Sequence, residues 1–109
     1  MLVVGVRRER GMSAEPEVVY NTATDPARSP GWLPERLHRV RAAMAPGLAA
    51  TWRDGVWLAS LVVEDEPAGG AVAVLEVSAA GVGDSQLGAV AERALFELDR
   101  EVADNLTPG

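Results

Sequence analysis

Cysteine and lysine are both missing from these 109 residues. Without cysteine there is no disulfide framework, no thiolate metal site and no cysteine nucleophile. Histidine occurs once, at His38, which excludes a multi-histidine metal centre within one chain. Aromatics are few: Tyr20, Trp32, Trp52, Trp57 and Phe96. A net charge of −6 with so few aromatics argues against a nucleic-acid partner. No apolar run approaches the roughly 20 residues that a membrane-spanning helix needs. The run Met1–Val6 is too short for the apolar part of a signal peptide, and Arg7 and Arg8 follow it instead of preceding it. These absences predict a cytoplasmic protein with no metal or cofactor.

What is present is enough for one domain. Nearly half the residues are apolar, and nothing between 1 and 109 reads as a linker, a repeat or a domain break. Charge is divided unevenly. Residues 1–54 carry eight arginines against six acids, whereas residues 55–109 carry two arginines against ten acids.

The longest pattern lies at the C-terminal end. Leu87, Val90, Ala91, Ala94, Leu95, Leu98, Val102 and Leu106 recur at intervals of three and four, the stripe of an amphipathic helix. Asp84 or Ser85 can cap its start, and Pro108-Gly109 stops it. The spacing predicts a helix over Asp84–Leu106, about 33 Å long. Upstream, Leu2–Arg10 reads as a strand. Ser13 then reads as the N-cap of a short helix, with Pro16 in the first turn where no N–H is required. Asp25-Pro26 ends that helix and opens a second short one, Ala27–Trp32. Strands are expected over Arg36–Met44, Leu48–Arg53, Val56–Glu64 and Ala71–Ser78, with Asp54-Gly55 as a tight turn between two of them. In the first of these, alternation puts His38, Val40, Ala42 and Met44 on one face. A run of strands closed by one long helix argues for an α+β domain, a curved antiparallel sheet covered on one face by that helix.

Several residues in this order resemble one family. Val19-Tyr20, Thr24-Asp25-Pro26 and Trp32-Leu33-Pro34 look like the helix pair after the first strand in the polyketide cyclase/dehydrase and lipid-transfer (START-like, SRPBCC) superfamily. The Pro67–Gly70 hairpin with Val72-Ala-Val-Leu-Glu-Val resembles that family's last hairpin, and Leu98–Leu106 resembles its C-terminal helix. The resemblance implies a helix-grip fold: about five strands wrapped on the long helix, with two short helices after the first strand. It also implies a cavity between sheet and helix. The sheet read here is shorter than the family's usual one, with the shortfall at Asp54-Gly55 between Trp52 and Trp57. That predicts a reduced cavity and exposed strand edges through which a homodimer can pair.

Three functions follow. The first is a binding module for a small hydrophobic molecule, in a pocket lined by Tyr20, Trp32, His38, Val40, Trp52, Trp57, Leu61, Leu95 and Leu98. Few polar groups on apolar walls suit such a pocket. The second, implied by the resemblance, is a cyclase- or dehydratase-type enzyme in which His38 or Tyr20 moves a proton; His38 then needs an orienting partner. The third is a domain with a filled cavity that binds a partner or a second copy. Arg36, Arg39, Arg41 and Arg53 form a basic row suited to a carboxylate or phosphate, or a solvated strand face. Glu64-Asp65-Glu66 lacks the ligand spacing of a calcium loop. Gly81-Val-Gly-Asp lacks the lysine and the βαβ setting of a phosphate-binding loop.

Overall fold

The computed structural model describes residues 5–106. The start of the expected first strand, Leu2–Val4, and the helix stop at Pro108-Gly109 lie outside the described residues. Within them the elements are β1 (Val6–Met12), α1 (Pro16–Thr24), β2 (Ala43–Ala45), β3 (Ala49–Asp54), β4 (Trp57–Asp65), β5 (Ala71–Ala79) and α2 (Asp84–Leu106), with 3-10 turns at Ser29–Gly31 and Glu35–Leu37. The five strands form one antiparallel sheet in the order β1-β5-β4-β3-β2.

Alternation sets the faces of the sheet. Along β4, Ala59, Leu61 and Val63 are buried on the helix-covered face of the sheet while Val62 and Glu64 face out. Register carries the same face across to β5, where Leu61 pairs with Leu75 and Ala59 with Val77. Leu87, Ala91, Ala94, Leu95, Leu98 and Val102 of α2 close over that face, as their spacing predicts. Leu106, the last residue of the stripe, stays exposed. Charged contacts fasten β1 to the helix, Arg8 Nε lying 3.8 Å from Glu92 Oε1. Arg10 Nε bonds Asp99 Oδ2 at 2.8 Å, and its guanidinium lies 5.4 Å from the centre of the Phe96 ring.

α1 starts at Pro16 with Glu15, not Ser13, in the capping position. Pro16 fixes φ and has no N–H to satisfy, so it defines the first turn. The far end of α2 is clasped to this region. Arg28 Nη1 reaches Glu101 at 3.1 Å and Asp104 at 3.2 Å, and Asn105 donates to the Thr22 hydroxyl at 3.1 Å. The hydrogen bond to Asp104, ahead of the one to Glu101, raises the Arg28 pKa against an opposing effect of desolvation.

One strand expectation is corrected. Arg36–Met44 is not a strand; only Ala43–Ala45 is. Pro34 is followed by a tight turn in which Leu37 N bonds Pro34 O at 2.8 Å, His38 N bonds Glu35 O and Val40 N bonds Leu37 O. These local bonds satisfy the backbone that a strand would have paired elsewhere. The side chains follow the turn. Leu37, on the opposite face to His38 in the strand reading, is completely buried, and Met44 is 60% exposed.

Candidate functional site

The segment from Pro30 to His38 is built to stand against α2. Ser29 is buried, and its carbonyl accepts from the N–H groups of Trp32 and Leu33. Trp32 then turns inward. Its indole N–H donates to Ala23 O at 3.0 Å, and its ring meets Trp52 edge to face at 5.2 Å between centres. His38 closes the segment on itself: Nε2 lies 2.7 Å from Leu33 O. A carbonyl oxygen only accepts, so Nε2 carries the proton and the lone pair of the neutral ring is on Nδ1.

Between this segment and α2, from Gln86 to Arg100, runs an open groove of about 900 Å³. Trp57, Ala89 and Val90 give it apolar surface, backed by the buried Trp32, Leu33 and Ala94; Glu35, Arg36, Gln86, Arg93, Glu97 and Arg100 give it a polar rim. The helical wall lies at three- and four-residue spacing beside the buried stripe, so one helix packs the core with one line of residues and offers the next to the groove. Glu97 pairs with Arg93 at 3.7 Å and Arg100 at 3.6 Å, both largely exposed arginines. Such exposed pairs contribute about 0–1 kcal/mol each. Two smaller pockets adjoin it. One is lined by Glu35, Arg36, His38, Arg39, Val40 and Asp54. The next is lined by Thr24, Pro26, His38, Arg39, Val40, Arg41, Ala42 and Met44. His38 lines all three.

The nine residues picked from the sequence therefore divide. Trp32, His38 and Trp57 meet at the groove, and Val40 lines its two neighbours. Tyr20, Trp52, Leu61, Leu95 and Leu98 are packed in the core between sheet and helix and line none of the three. Tyr20 is 6% exposed and its hydroxyl donates to Ala49 O at 2.8 Å, tying α1 to β3. Tyr20→Phe is expected to lower the unfolding free energy by about 1 kcal/mol in urea titration, because a partly buried carbonyl loses its donor. Unchanged stability would show that the bond contributes nothing. The groove residues outside those nine are Leu33 and its neighbours Pro30, Gly31, Pro34, Glu35 and Arg36, and those of α2, of which Val90 and Ala94 were legible as members of the apolar stripe. Among the described residues no group of three or more His, Asp or Glu side chains is placed to hold a metal ion. No helix there is long and apolar enough to cross a membrane.

No protein-family model matches the chain, and no curated protein sequence does. Solved structures do. Protein CV1439 from Chromobacterium violaceum superposes with a TM-score of 0.65 at 17% identity, over 90% of this chain and 96% of that one. TTHA0849 from Thermus thermophilus gives 0.64 at 18%, over 95% and 100%. The AHSA1-like protein RHE_CH02687 from Rhizobium etli gives 0.59 at 18%, over 93% and 80%. The fold is a helix grip. At these identities the likeness is one of architecture, and the helix grip's chemistry here rests on its own residues.

Proposed function

We propose that this helix grip is a binding module for a small, mainly hydrophobic molecule, and that the molecule lies in the groove between Pro30–His38 and α2. The observation that carries this is the meeting of Trp57, Ala89 and Val90 at one concave surface, backed by the buried Trp32, Leu33 and Ala94 and with its polar groups at the rim. The AHSA1-like and other helix-grip neighbours are compatible with a ligand-binding role. The proposed site is beside the sheet–helix interior, whose centre is occupied by Trp52, Leu61, Leu75, Leu95 and Leu98. The proton-transfer alternative has less support: the Tyr20 hydroxyl, one of its two candidates, is buried and engaged by Ala49.

A thermal-shift screen with lipophilic small molecules tests the proposal. A ligand at about 100 times its Kd adds about 2.7 kcal/mol to stability. Trp57 is half-buried in the groove wall, so Trp57→Ala is expected to weaken a hit about tenfold or more while the protein stays folded. The proposal falls if no compound shifts the melting temperature of the wild type, or if every hit binds Trp57→Ala equally well.

A further inference from the structure

Arginine is the chain's sole basic residue apart from His38, and its ten copies fall into two sets. Arg7, Arg8, Arg10, Arg28, Arg93 and Arg100 each stand within ion-pair distance of a carboxylate. Arg36, Arg39, Arg41 and Arg53 have no ion pair among the described residues, although the chain carries sixteen acids. Three of these four line the groove or the pockets that continue it. Arg36 is shared by the groove and the middle pocket, Arg39 by the middle and outer pockets, and Arg41 lines the outer one. Glu35 and Asp54 line the middle pocket but close no ion pair with them; the outer pocket has no acid in its wall. Apolar surface therefore passes, across His38, into a basic end within an acidic protein.

We infer that the groove's occupant is an amphipathic anion: an apolar body on Trp57 and Val90, and a carboxylate or phosphate head directed toward Arg36, Arg39 and Arg41. This rests on the groove reading above and adds the chemistry of the head. A guanidinium without a carboxylate of its own offers its donors to an incoming anion, and the planar fork suits two oxygens at once. Concentrating unpaired positive charge at one end also orients the molecule as it enters.

Octanoate, octanol and octylamine share one body and differ in the head, so their calorimetric affinities at low salt separate the two readings. Octanoate is expected to bind about tenfold more tightly than octanol, with octylamine weakest, and the preference should shrink as salt screens the arginines. Arg39→Gln combined with Arg41→Gln should remove most of that preference; both side chains are exposed, and an unchanged melting temperature confirms that the fold is kept. Equal binding of octanoate and octanol would overturn the anionic head and leave the groove reading standing. Binding of none of the three would remove both. Inorganic phosphate binding as tightly as octanoate would overturn the amphipathic ligand in favour of a plain anion site. Capture by anionic phosphatidylglycerol vesicles that octanoate does not compete away would overturn it in favour of a membrane surface.

Discussion

Trp52→Ala is expected to remove about 3–5 kcal/mol of stability, the usual loss when a large aromatic is cut from a packed interior. A domain of this size has about 5–15 kcal/mol in all, so the variant should melt far below the wild type or be partly unfolded at room temperature. Trp52 is 1% exposed, and its ring supports that of Trp32, whose indole N–H holds the end of α1 through Ala23 O. Removing it takes away area, an edge-to-face contact and the backing of the groove wall together. The void left is apolar and of indole size. Excess indole should therefore bind there and raise the variant's melting temperature without affecting the wild type. Denaturant melts of Trp52→Ala and Trp52→Phe check the first part. A loss below about 1 kcal/mol would mean that the interior at Trp52 is loosely filled.

That centre was legible because its residues obey simple periods. The 3.6-residue stripe of α2 and the alternation of Ala59, Leu61 and Val63 in β4 each point one way, and register then brings Leu75 beside Leu61. The period failed at Arg36–Met44. His38, Val40, Ala42 and Met44 alternate as a strand does, but Pro34 starts a turn whose i→i+3 bonds consume the backbone, and Leu37 is drawn into the core. Alternation over a short stretch does not exclude a turn when one long-range burial outweighs it.

The site was legible in part, for a related reason. Trp32 and Trp57 stood out as large apolar residues near predicted breaks. Their partners on the helix did not, because Gln86, Arg93, Glu97 and Arg100 read as an ordinary solvated face. They face the groove only because the Pro30–His38 segment, some fifty residues earlier, turns back over that side of α2. No local pattern encodes that encounter. The arginines are similar: the sequence displays Arg36, Arg39, Arg41 and Arg53 as a row, but their lack of carboxylate partners among the described residues is a property of the fold.

Gly70→Ala is expected to be the most damaging single-methyl addition in the β4–β5 hairpin. Gly69 and Gly70 both have positive φ, +109° and +88°, so an alanine at either site is strained by about 1–3 kcal/mol. They differ in what lies beyond. A methyl on Gly69 meets nothing within 4 Å. A methyl on Gly70 would fall on the Met12 carbonyl oxygen, with the Ser13 Cα at 3.3 Å. Those are backbone atoms at the end of β1, where Met12 pairs with Ala71, and they cannot swing aside as a side chain could. Either the hairpin or the β1–α1 junction has to move, and α1 carries the Ala23 carbonyl that anchors Trp32. Gly70→Ala should therefore lose clearly more than Gly69→Ala in matched urea melts, and should weaken groove ligands in proportion to how far the junction shifts. Amide exchange at β1, α1 and the Trp32 indole would locate the movement. Equal losses at the two glycines would show that φ alone governs both, and that the hairpin does not brace the wall of the groove.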